Sequence, residues 1–136
     1  MPDFQTLLIY IIPLLFAITL HEAAHGWAAS KLGDHTARMM GRVTLDPTKH
    51  IDPIGTIAIP LVLLLSSSGF IFGWAKPVPI NFNALRNGKN GIIWVALAGP
   101  GANIVMAICW LFVMIIAIKM NITVLIEMGR VGILVN

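Results

Sequence analysis

Apolar residues fill long stretches of the chain, interrupted by two polar segments. From Phe4 to Ser30 the only formal charge is Glu22, and from Gly91 to Ile118 there is none. At about 1.5 Å per residue, each stretch is long enough to cross a hydrocarbon core of about 30 Å as a helix. The first predicts a helix over 5–32, stopped by Lys31 in its last turn and Gly33 just beyond. Pro13 removes one backbone hydrogen bond inside it and is expected to bend it. A further uncharged run starts at Ile54, where Asp52 as N-cap and Pro53 at the first helical position open a helix over 54–68. Residues 69–90 read as an extended loop, because Pro77, Pro79 and the residues before them favour extended backbone. Asn87-Gly88 and Asn90-Gly91 mark turns ahead of a helix over 91–118. A last segment over 122–136 carries Glu127 and Arg130 at a spacing that pairs them on a helix. It stops at Asn136, too soon to have crossed a bilayer, so the chain reads as cut short.

The most polar segment, 34–53, contains Arg42-Val43-Thr44-Leu45, whose alternation predicts a short strand or hairpin at the membrane surface. With 57% hydrophobic and 11% charged residues, the chain is too apolar for a soluble domain of 136 residues. The expected fold is a single all-α polytopic membrane unit of about three to four transmembrane helices. To these are added the short strand or hairpin and a re-entrant Gly/Pro-rich segment.

Charge decides the topology. A net charge of +3 on so apolar a chain reads as positive-inside anchoring in a cell membrane, with no case for nucleic acid. If every apolar run crosses once, the basic segments 31–50 and 76–89 fall on opposite sides. Both lie on the cytoplasmic side if 54–80 enters and returns, which the positive-inside count favours over two ordinary crossings. The first helix then runs towards the cytoplasm, and Asn103 reaches a depth similar to that helix's end. The N-terminus lacks a basic region, so the first helix is expected to be retained. Cys109, the single cysteine, excludes an internal disulfide and a Cys-based metal site, and reads as a packing residue.

The candidate chemistry sits in the first helix, at His21-Glu22-Ala23-Ala24-His25. An ionised group at mid-bilayer costs roughly 2.5–3.5 kcal/mol, so an acid between two histidines here needs a function. Residues four apart on a helix differ by about 40° in direction and about 6 Å along the axis. His21 and His25 therefore face the same way and can hold one metal ion, with Glu22 able to reach a water upon it. The competing reading is a pair of helix histidines bonded to neighbouring carbonyls, which suits either one alone better than both.

Several further stretches occur in order with this one. They are Ile18-Thr19-Leu20-His21-Glu22-Ala23-Ala24-His25-Gly26, Gly41-Arg42-Val43-Thr44-Leu45-Asp46-Pro47 and His50-Ile51-Asp52-Pro53-Ile54-Gly55-Thr56. Phe72-Gly73-Trp74-Ala75-Lys76-Pro77-Val78-Pro79 and Ala98-Gly99-Pro100-Gly101-Ala102-Asn103 follow. Together they resemble the site-2 protease family, intramembrane zinc metalloproteases, in its compact bacterial type. The resemblance implies Zn2+ bound by His21 and His25, Glu22 as general base, and Asn103 near the active site against substrate backbone. It implies transmembrane proteins as substrates and a catalytic centre nearer the cytoplasmic face. The family's third zinc ligand is an aspartate in an Asn/Pro-rich Asp-Gly motif on a later helix. No such motif occurs in these residues, and the resemblance places it after Asn136. Asp46 and Asp52 read instead as turn or cap residues, His50 as a hydrogen-bonding surface or gate residue, and Glu127 as the partner of Arg130. The alternative function is a catalytically inactive pseudoprotease or fragment that scaffolds other membrane proteins through small-residue faces.

Overall fold

The computed structural model describes residues 4–66 and 73–136. Helix α1 runs Phe4–Lys31 and contains Pro13; α2 is a single turn, Thr36–Met39. A 3₁₀ turn follows at Pro47–Lys49, then a π-helical turn at Pro53–Ala58 that leads into α3, Ile59–Leu65. After an extended stretch and a second 3₁₀ turn at Phe82–Ala84 come α4, Gly88–Met120, and α5, Thr123–Val135. Residues 67–72, including the expected end of the 54–68 helix and the start of the 69–90 loop, lie outside the described residues.

Among the described residues the secondary structure is all helical, and α1 and α4 are each long and apolar enough to cross a bilayer. Large apolar side chains such as Phe16, Ile104 and Phe112 are exposed along both, as lipid-facing surfaces require. Both are candidate membrane spans. Helices α1, α4 and α5 pack against one another, and α5 returns along α4 after a left-handed turn at Asn121 (φ 56°). Gly129 and Gly132 let that return be close. A Cβ on the first would lie 2.6 Å from the Met114 Cβ, and on the second 2.2 Å from the Trp110 ring.

Two local expectations are corrected. No strand or hairpin forms at Arg42–Leu45, because no second strand among the described residues pairs with it and its alternation has another cause. Arg42 turns inward to bind the backbone of residues 76 and 77, while Leu45 faces out. Asn90-Gly91 is not a turn but part of the first turns of α4, which begins at Gly88. Gly91 is needed there because a Cβ would come 2.4 Å from the Arg86 carbonyl oxygen. The Asn87-Gly88 turn is real, with both residues at positive φ.

An extended strap, residues 73–81, is held by groups from every neighbouring segment. Its chain returns to the point it left: the Trp74 N–H donates to the Gly55 carbonyl at 3.1 Å. The Lys76 N–H donates to the His50 carbonyl at 2.9 Å, and the Asn81 N–H to Asp34 Oδ2 at 2.6 Å. With the Arg86 N–H on the Leu32 carbonyl (2.7 Å), these bonds bring the two basic segments to the same end of the helices.

Asp34 is 1% exposed, yet its carboxyl titrates below its ordinary value. Burial alone would push it up, but hydrogen bonds from the Thr36 hydroxyl, the Thr36 N–H and the Asn81 N–H outweigh that. A depressed value means the bond contributes stability above the unfolded carboxyl's range, about 3.9, and loses it as pH falls through the folded value. The expected result is a smaller protection factor at the Asn81 amide, relative to its intrinsic exchange rate, as pH drops below about 4. In Asp34→Asn that pH dependence is expected to flatten. An Asn81 amide whose protection follows pH identically in both proteins would refute the assignment.

Candidate metal centre

The last third of α1 carries the candidate ligands because its small residues let other segments approach. Gly26 packs against Val43, Val78 and Ala37, while Ala28 and Ala29 form the core with Leu85 and Val95. Burial of that core fixes α1 against the start of α4, at about 25 cal/mol per Å2 of apolar surface removed from water.

His21 and His25 are brought together. Their Nε2 atoms stand 3.0 Å apart and the rings meet edge to face, with centroids 4.7 Å apart. Two nitrogens on one tetrahedral zinc, each at about 2.0–2.1 Å, are about 3.3 Å apart, so this pair fits two neighbouring ligand positions. The His25 Nδ1–H donates to the Val95 carbonyl at 2.7 Å. That bond fixes the tautomer that leaves Nε2 with a free lone pair, the outer contact a metal-bound imidazole uses. The carbonyl-bonded reading and the ligand reading of His25 are therefore compatible: one nitrogen serves each.

Gly99 of α4 lies directly over the pair. A Cβ there would be 2.3 Å from His25 Nε2 and 2.6 Å from His21 Nε2, inside the space in front of both nitrogens. The cradle exists because residue 99 has no side chain. Asn103, one turn further along α4, lies beside His21, and its Oδ1 is buried without a hydrogen-bond partner. It thus reaches the centre.

Glu22 accepts a hydrogen bond at Oε2 from the Val78 N–H of the strap, 2.9 Å. It lines a cavity of about 320 Å3 together with His25, Val78 and Val95. Among the described residues no third His, Cys, Asp or Glu joins the pair. Asp46 caps the first 3₁₀ turn through the Thr48 N–H, and Asp52 caps the π-helical turn through the Ile54 and Gly55 N–H groups. Glu127 pairs with Arg130 at 2.9 Å. His50, fully buried, meets the Thr44 carbonyl with Nε2 at 3.0 Å. The pair therefore fits zinc as two of the ligands a catalytic site requires.

Spacing along the sequence did not identify Gly99, the Val95 carbonyl or the Val78 N–H as parts of this centre. The run of small residues at Ala98–Ala102 was the only advance sign of a close approach.

No family model matches the chain, and no solved structure matches it. Curated relatives do. The protein of Bacillus subtilis named "Putative zinc metalloprotease YwhC" is 39% identical over 106 residues, 78% of this chain and 45% of its own length. "Putative zinc metalloprotease Rip2" of Mycolicibacterium smegmatis is 34% identical over 95 residues, covering 69% and 35%. Its namesake in Mycobacterium tuberculosis is 29% identical over 93 residues, covering 68% and 34%. The chain spans less than half the length of these relatives. Their similarity extends well beyond a five-residue motif, and the chain belongs to the family of these metalloproteases, the site-2 protease family that its linked stretches resemble.

Proposed function

We propose that this chain forms the catalytic core of a zinc metalloprotease that hydrolyses peptide bonds of transmembrane proteins. The carrying observation is the convergence of His21 and His25 Nε2 at 3.0 Å, with Glu22 beside them and Gly99 leaving the space in front open. His21 and His25 hold the ion, and Asn103 contacts substrate backbone. When bound, zinc supplies a water acidified to a pKa of about 7 and a Lewis acid for the scissile carbonyl. Glu22 Oε1 makes no hydrogen bond among the described residues, so it is the atom that takes a proton and returns it to the leaving amine. The 320 Å3 cavity at Glu22 and His25 is the route for water.

A helical substrate shields its carbonyls and must unwind before cleavage. Val43 and Leu45 make no backbone hydrogen bond among the described residues, and both line a groove of about 390 Å3 that Leu20, Ala24 and Trp27 share. Their free backbone groups can hydrogen-bond to an unwound segment lying in that groove, whereas Pro77 and Pro79 in the strap have no N–H to offer.

The site lies near the cytoplasmic face of a multi-pass protein whose 54–80 segment enters and returns. The pairing of Trp74 with Gly55 and the shared end of both basic segments favour this over two crossings. Trp27, Trp74 and Trp94 are exposed towards that end, as an interfacial belt would be. The second reading, a scaffold without catalysis, draws on the absence of a third ligand among the described residues.

The test uses the full-length protein in proteoliposomes with a transmembrane reporter. Cleavage is expected to stop when zinc is chelated and to return on adding zinc. Cleavage indifferent to the chelator would defeat the proposal.

A further inference from the structure

The protease reading leaves one costly group unexplained. Arg42 is 8% exposed, and the only ion pair among the described residues is Glu127–Arg130. A buried guanidinium without an acid beside it is expensive. Its Nη2 donates instead to the carbonyls of Lys76 (2.9 Å) and Pro77 (3.3 Å), and its Nε has no partner.

The Pro77 carbonyl and the Val78 N–H belong to one peptide group. In a trans peptide the C=O and N–H point in opposite directions, and no cis bond occurs among the described residues. Arg42 thus binds the negative end of this dipole while Glu22 Oε2 binds its positive end, at 2.9 Å. Each contact is charge-assisted, and each polarises the group towards the other. The flanking prolines stiffen the relay: Pro77 fixes its own φ, and Pro79 restricts Val78 to extended backbone. Neither proline has an N–H, so Val78 carries the only donor in 77–79.

We infer that Arg42 is a positioning residue for the Glu22 carboxylate, acting through the 77–78 peptide group. Resting on the protease reading, this assigns Arg42 the task of holding Oε2 on the strap so that Oε1 faces the reacting water. His50 supports the same geometry by accepting the Lys76 N–H one residue earlier.

Two measurements on the full-length protein test it. In zinc-free micelles with 15N-valine labelling, the Val78 amide proton is expected downfield in the wild type. It should move upfield in both Arg42→Met and Glu22→Gln. A Val78 resonance unchanged in Arg42→Met overturns the inference whether or not any hydrolysis occurs. A resonance that moves in a protein with no hydrolysis supports the relay and counts against the protease reading alone.

With the reporter, Arg42→Met is expected to lower kcat on the order of 10–100-fold, the range seen when an outer partner of a metal site is removed. KM and zinc content should stay within about twofold, with Arg42→Lys recovering part of the rate. Val78→Pro deletes the same N–H and should cost as much, with the double variant no worse than either single. Additive losses, or a Lys variant no better than Met, would overturn the relay. If Arg42→Met does not fold, Val78→Pro decides: kcat equal to wild type overturns it.

Discussion

Replacing Glu22 by Gln in the full-length protein is expected to reduce hydrolysis by about 10²–10⁴-fold, the usual contribution of a positioned proton-transfer group. Zinc content and thermal stability should stay at wild-type levels. Gln has the same length and still offers a carbonyl oxygen to the Val78 N–H, so the strap keeps its anchor. It cannot hold a proton, which is the property the mechanism uses. Glu22→Ala is a poorer test because it also leaves the buried Val78 N–H without its acceptor, at about 1–3 kcal/mol. The readout is therefore a pair: rate on a transmembrane reporter, and zinc per protein by elemental analysis. A Gln variant that cleaves within a few-fold of wild type would remove Glu22 from the chemistry. A Gln variant that loses cleavage but keeps its effect on partner proteins in the membrane would show that a scaffold role exists beside the enzyme.

The sequence is informative wherever one local rule governs. Helical spacing alone puts His21 and His25 on one face, and the structure brings their nitrogens to 3.0 Å. Asp52 before Pro53 reads as a cap and is one. Tertiary contacts are different. Arg42 reads as one residue of a strand-like alternation in a polar segment, and only the path of the chain puts its guanidinium on carbonyls 34 and 35 residues away. The same inward turn produces an alternation that looks like a strand, although a strand needs a partner that the fold does not supply. Asp34 is one acid of the polar 34–53 segment in the sequence, and nothing local there announces the Asn81 N–H that reaches it from 47 residues away. Periodicity reports which face an element buries; it does not report what closes upon that face.

Gly99 shows this most sharply, and Gly99→Ala in the full-length protein is expected to lower zinc affinity by at least about tenfold, as displacement of a supporting group does. The added Cβ would stand 2.3 Å and 2.6 Å from the two Nε2 atoms and 2.7 Å from His25 Cε1. Either the rings swing away, breaking their convergence and the His25–Val95 bond, or α4 retreats from a core made by Val95, Ala28 and Ala29. Overpacking of this kind costs typically 1–3 kcal/mol, whichever part gives way. Gly101 is the matched control, since it lies two residues away on the same helix with nothing within 4 Å of its Cβ position. Gly101→Ala should therefore bind zinc normally and gain about 0.5–1 kcal/mol from the entropy a helical glycine forfeits. Competition with a zinc chelator, read beside helix content, separates the two. Equal affinities in Gly99→Ala and Gly101→Ala would mean that no ion sits between His21 and His25. Loss confined to Gly99→Ala would place the ion in the space its missing side chain leaves.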